Sequence, residues 1–170
     1  MMSATPSKQI LAEFKEPKHE ILELRTRFHK QPIPLPQVVI NLSAVQEILI
    51  LKKLFEYKKN GKPCLIFAPT INQCESLYSK LKLLAKSGYF IHSKVEKREQ
   101  ILNDFKKGKF TYLVTTSVLE RGVTVKNLQV LVYHSDDPRV YDSSTLIQIA
   151  GRVGRKMDAP EGEVIFYGEK

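Results

Sequence analysis

From residue 38 onward, short apolar runs alternate with segments of helical period, and this alternation constrains the fold more than any other feature. CLIFA, Cys64–Ala68, is a continuous apolar run, the pattern of a strand buried on both faces. Further strands are expected over residues 89–92, 112–115, 130–133 and 163–166. Helices are expected between them. Ser43 with Gln46 reads as a capping box, with Ala44, Ile48, Leu51 and Phe55 along one face and Gly61-Lys62-Pro63 as the stop. Asn72 with Glu75 opens a second helix, carried by Cys74, Leu77, Tyr78, Leu81 and Leu84. Ser93 with Glu96 caps a third, with Ile101, Leu102 and Phe105 on one face and Gly108 at its end. A short helix is expected over residues 117–120, and a last one over 142–153 that buries Leu146, Ile149 and Val153. This order implies an α/β fold with a mostly parallel sheet and helices on both faces. Ligands of such sheets sit at the carboxyl ends of the strands, so function is sought on the loops that leave them.

The head of the chain reads differently. Residues 1–36 hold a helical stretch near 7–14 and a strand-like stretch over 20–28, followed by QPIPLPQ. Alternating prolines are extended and exclude helix interior, so residues 31–37 read as a linker or the lead-in to a new domain. A chain of 170 residues is then one domain, 37–170, plus a short extra piece. The net charge of +9 favours an anionic partner, with nucleic acid foremost. No apolar run approaches the roughly 18 residues a membrane span needs, and the N-terminus has no apolar signal core. Cys64 and Cys74 have no ligand-like company, so no metal site is expected and a reducing, cytoplasmic setting is.

A parallel α/β chain invites a search for a phosphate loop. Gly61-Lys62 and Gly108-Lys109 are the only Gly-Lys pairs, and neither has the preceding glycine or the following Ser or Thr. No Asp-Glu pair is present to hold a magnesium ion, so hydrolysis of a nucleotide by this chain alone is not expected. The sharpest motif is instead Gln148-Ile149-Ala150-Gly151-Arg152-Val153-Gly154-Arg155. Arg152 and Arg155 lie three apart at a helix end and project to one side, and the glycines beside them permit close approach of a backbone or a phosphate chain. Paired guanidinium forks suit phosphate oxygens. A basic helix end serving only the helix dipole is the structural alternative.

QxxGRxGR resembles motif VI of the superfamily-2 helicases, and the other motifs of that family's second RecA-like domain follow in order. Residues 115–124, TTSVLERGVT, look like motif V, and LIFAPT, ending at Thr70, looks like motif IV. His92-Ser93, Arg98 and Phe105-Lys106-Lys107-Gly108 resemble the intervening block, and Ser3-Ala4-Thr5 matches motif III, which closes the first RecA-like domain. Within the superfamily, TTSVLERGVTV, NLQVLV, QIAGRVGR and GEVIFY are most similar to the ComFA-type bacterial competence helicases. Primosomal and recombination helicases are the nearest alternatives. A noncatalytic RecA-like binding module and an RNA-directed helicase also remain open.

The resemblance implies a RecA-like three-layer αβα sandwich, with residues 1–36 as the tail of a preceding domain and its linker. It implies that ATP and Mg2+ are bound mainly by that preceding domain, which is the expected partner within one parent chain. Arg152 and Arg155 would be arginine fingers, Gln148 would position the γ-phosphate or the attacking water, and Gly122, Thr124 and Gly151 would face the nucleotide. Many relatives carry Asp where this chain has Thr124, which keeps a hydroxyl but no charge. Thr70, His92, Ser93, Thr115 and Thr116 would contact single-stranded DNA. For each Ser or Thr a helix cap is the alternative role. Ser3 and Thr5 would couple the two events. Other DNA-uptake proteins are further expected partners, and any peripheral membrane association would come through them.

Overall fold

The computed structural model describes residues 34–116, 123–154 and 161–169. The elements expected before residue 34, the helix expected over 117–120, and Ser3, Thr5, Gly122 and Arg155 lie outside them. The described elements run β1 (Gln37–Ile40), α1 (Ser43–Lys59), β2 (Cys64–Ala68), α2 (Ile71–Lys82), β3 (Gly88–Ile91), α3 (Arg98–Lys106), β4 (Tyr112–Thr116), β5 (Gln129–Val132), α4 (Ser143–Ala150) and β6 (Val164–Gly168). The six strands form one sheet in the order β1-β6-β5-β2-β4-β3, every pair parallel.

Side-chain alternation divides the core in two. Leu65, Phe67, Leu113, Val130 and Val132 point to one face, where Ile101 and Phe105 of α3 and Ile149 of α4 cover them. Cys64, Ile66, Val114 and Leu131 point to the other, under Ile50 and Leu54 of α1 and Cys74 and Leu77 of α2. The result is a three-layer αβα sandwich. β2, in the middle, is fully buried along its length, as its unbroken apolar sequence requires.

Several local expectations are corrected. The buried stripe of α1 is Gln46, Ile50, Leu54 and Tyr57, not Ala44, Ile48, Leu51 and Phe55; Ile48 is 65% exposed and Phe55 49%. Two apolar stripes share this helix, and polar anchors select between them. Gln46 Nε2 donates to Asn41 O (2.9 Å), the Tyr57 hydroxyl donates to Glu163, and Lys53 Nζ lies 3.0 Å from the same carboxylate. Ser43 is the first residue of α1 rather than its cap. Its N–H and its hydroxyl both donate to Glu169 Oε1 (3.0 and 2.7 Å), so a carboxylate from beyond β6 closes that helix end. α2 is capped by Thr70 rather than Asn72, and α3 begins at Arg98, five residues beyond Ser93, with no side-chain cap. α4 ends at Ala150, and residues 151–154 form turns. Leu84 lies beyond α2 and is 65% exposed. β1 is an additional strand, short and at the sheet edge; only its first residue, Gln37, falls in the expected linker, and no element was expected over residues 38–40.

Candidate nucleic-acid and nucleotide interface

The register places five candidate residues on one rim. Ala68 pairs with Thr116, and Ile91 pairs with Thr115. Thr70 leaves β2, Thr115 and Thr116 end β4, and His92 and Ser93 leave β3, so neighbouring strands bring all five to their carboxyl ends.

Their side chains differ in availability. Thr70 is exposed, but its Oγ1 accepts the Gln73 N–H (3.2 Å) and donates to Gln73 Oε1 (3.0 Å), a capping box that starts α2. Thr115 is fully buried and donates to Thr116 O (3.2 Å); Thr116 is 5% exposed. His92 is also 5% exposed. Its Nδ1 accepts the Lys94 N–H (3.3 Å), so its Nε2 carries the proton and donates to Glu75 Oε1 (2.9 Å). Ser93 is exposed in the turn that follows. Glu75 was expected to belong to a capping box; it instead orients His92 from one helix away, a contact that no local pattern encodes.

The arginine motif approaches the same end of the sheet from the α3/α4 face. Asp142 caps α4, its carboxylate accepting the Thr145 N–H (2.7 Å). Gln148 is exposed on α4, and Gly151 is the helix C-cap. Arg152 is 8% exposed, with its guanidinium 5.9 Å from the centre of the Phe67 ring. Phe67 is the penultimate residue of β2 and pairs with Thr115 and Val132, so Arg152 is braced at the carboxyl end of the central strands. Gly154 has φ +65°, a left-handed conformation that other residues adopt only with strain. Thr124 is exposed ahead of β5. Sequence reasoning missed Phe67, whose place in CLIFA marks it only as core.

A Ser-His-Glu grouping nearby is not a nucleophile. Ser43 gives its hydroxyl proton to Glu169, so its contact with His134 Nε2 (3.3 Å) leaves the imidazole as donor, not base. Burial pushes the thiols of Cys64 and Cys74 up, the latter to about 12, which leaves both as inert core residues. Among the described residues, no helix is long and apolar enough to cross a membrane.

Residues 40–157 match the helicase conserved C-terminal domain. This chain belongs to that family. It is 34% identical to the competence protein ComFA of Streptococcus pneumoniae over 98% of its own length and 40% of that protein's. It is 28% identical to ComFA of Bacillus subtilis, again over 98% of its length and 37% of the relative's. The chain thus spans well under half of these relatives. In fold it is similar to Saccharomyces cerevisiae Dbp5 solved with RNA and ADP BeF3, with a TM-score of 0.76 at 23% identity over 98% of this chain and 43% of that one. The domain is therefore the RecA-like C-terminal domain of a superfamily-2 helicase related to ComFA.

Proposed function

We propose that this helicase C-terminal domain is one half of an ATP-dependent DNA translocase that drives single-stranded DNA uptake in competence. The observation that carries the reading is the meeting of Arg152, braced on Phe67, with the strand-end residues of β2, β4 and β3 at one carboxyl rim. The likeness to competence proteins supports DNA as the track. Residues 1–36 are then the tail and linker of a preceding RecA-like domain, and Ser3 and Thr5 couple strand contact to turnover.

The donor set suits a phosphate chain presented from outside the domain. Gln148 stands exposed on α4, and Arg152 holds a charged fork against an aromatic ring. ATP, bound with Mg2+ mainly by the preceding domain, supplies the free energy of phosphoanhydride hydrolysis. Arg152 and Arg155 neutralise charge that grows on the transferring phosphoryl oxygens, and such fingers contribute about 10³–10⁵ in rate, or about 4–7 kcal/mol of barrier. That charge develops in the transition state, so loss of a finger lowers turnover more than binding. Gln148 orients the γ-phosphate or the attacking water, and Gly122, Thr124 and Gly151 border the nucleotide. Thr70, His92, Ser93, Thr115 and Thr116 form the grip on the strand backbone, which positions DNA without reading its sequence.

The test is single-strand-stimulated ATP hydrolysis by the longer polypeptide that carries this chain with its preceding domain, wild type beside Arg155→Ala. Turnover is expected to fall about a thousandfold while DNA binding persists. Normal hydrolysis by the variant would overturn the finger assignment. Residues 1–170 alone are expected to hydrolyse no ATP and to bind single strands weakly. About three phosphate contacts give a slope of log K against log salt near −2.

A further inference from the structure

The β3 edge of the sheet carries an aromatic strip that begins at His92 and whose other rings the helicase motifs do not use. Phe110, Tyr89, Phe90 and His92 follow one another with ring centres 5.3, 5.6 and 5.6 Å apart, each neighbouring pair stacked. Tyr78 of α2 leans onto Tyr89 and Phe90 at 6.0 and 4.9 Å. An edge strand normally hides or charges its open side. Here Tyr89 is 37% exposed, and Phe90, Phe110 and Tyr78 are half-buried. Beside them a groove of about 800 Å³ runs along α2, with Tyr78 and Phe90 on its wall and Lys82 and Lys86 at its side. Lys82 Nζ sits 5.8 Å from the centre of the Tyr78 ring. The one carboxylate lining the groove, Glu75, is engaged by His92.

We propose that this groove and strip form a second contact for single-stranded DNA, one that holds bases rather than phosphates. Flat aromatic surfaces with lysines alongside are what a non-sequence-specific strand-binding surface needs: the rings stack on any base, and the ammonium groups neutralise the backbone between bases. The strip starts at His92, on the rim proposed to grip phosphates, and runs from there along β3. A strand leaving the rim beside β3 meets Phe90 first, in the groove with Lys82 and Lys86, and then Tyr89, exposed at the sheet edge outside that groove. The net charge of +9 favours a polyanion over an acidic-poor protein surface as the occupant. The choice of DNA over RNA rests on the competence reading; the stacking itself does not.

The experiment measures fluorescence anisotropy of residues 1–170 with labelled oligothymidylate of about twenty nucleotides and with an abasic strand of equal length and charge. The wild type is expected to bind oligothymidylate about tenfold more tightly than the abasic strand. Tyr89→Ala should remove most of that difference and leave abasic binding within about twofold, while Tyr89→Phe keeps it. Because loss of the ring could disturb the edge, Lys82→Ala with Lys86→Ala is the second variant. It should weaken both probes and flatten their salt dependence with the melting temperature unchanged. Equal binding of the two strands by the wild type, or unchanged oligothymidylate binding by Tyr89→Ala, would overturn the proposal and leave the groove to a protein partner. Much tighter binding of oligouridylate would overturn the choice of DNA. None of these outcomes bears on the finger assignment, which is read by ATP hydrolysis in the Arg155→Ala variant.

Discussion

The brace between Phe67 and Arg152 can be measured by a double-mutant cycle on the domain itself. Phe67→Leu keeps an apolar residue in β2 but removes the ring face; Arg152→Met keeps an unbranched stem and removes the charge. The guanidinium lies 5.9 Å from the ring centre, near the limit of an effective cation–π contact, and Arg152 is 8% exposed. Distance lowers the value and burial raises it, which puts the pair at about 1 kcal/mol. Phe67 is fully buried, so Phe67→Leu carries a further cost of about 1 kcal/mol for imperfect repacking. The single variant should therefore lose about 2 kcal/mol, or about 4–8 °C in melting temperature for a domain of this size. The coupling energy from urea unfolding of the four proteins should be about 1 kcal/mol. Independent sites add to within about 0.3–0.5 kcal/mol, so coupling inside that range would refute the brace. In the longer polypeptide the same Phe67→Leu change should lower turnover about fivefold, since about 1 kcal/mol of positioning is lost, with KM for ATP unchanged.

Three other outcomes follow from the packing. A Cβ at Gly88 would stand 2.0 Å from Tyr112 Cζ, and Tyr112 is 1% exposed, so Gly88→Ala should destabilise the domain by about 1–3 kcal/mol in urea unfolding. The side-chain hydrogen bond with Thr145, joined by the Thr145 N–H, holds the Asp142 carboxyl below its ordinary 3.8. Its contribution is therefore complete above that pH and lost as pH falls through the lowered value, and Asp142→Ala should flatten this part of the acid unfolding curve. At the alkaline end, burial raises the pKa of Tyr57, Tyr112, Tyr141 and Tyr167, and raises Tyr133 and Cys74 to about 12 each. These groups favour the folded state below their unfolded values and lose that effect as pH rises, so the urea midpoint should fall steadily above about pH 10.

The strands were legible because burial on both faces leaves little choice of sequence: Cys64–Ala68 matches its expected bounds, and β4 and β5 fall within a residue of theirs. The phase of α1 was not legible. Ala44, Ile48, Leu51 and Phe55 make a sound helical stripe, but Tyr57 and Lys53 are drawn to Glu163, more than a hundred residues away, and turn the other stripe inward. The caps of α2 and α3 failed for a related reason. Asn72 and Ser93 carry the right chemistry, but where a helix begins depends on where the preceding strand stops, and β2 stops early enough for Thr70 to cap. β1 was missed because it is a short edge strand of mostly exposed residues after a proline-rich run. The clustering of the candidate residues was legible in outline because parallel α/β topology sends the strand-end loops to one rim. Its supports, Phe67 beneath Arg152 and Glu75 behind His92, join different elements and leave no spacing to read.

That geometry also restricts how the proposed grip works. Of its five side chains, Thr115, Thr116 and His92 are nearly or fully enclosed, and Thr70 spends its hydroxyl on Gln73. Only Ser93 presents an exposed side chain that caps no helix. A strand lying on this rim would therefore meet main-chain N–H groups at the ends of β2, β3 and β4 more often than hydroxyls. Main-chain donors survive substitution, so Thr70→Ala and Thr115→Val should weaken the domain's fold more than its hold on DNA. On this reasoning the threonines serve strand binding by fixing the backbone that does it. The cap and the contact, posed as rival roles by the sequence, become two consequences of one hydrogen bond.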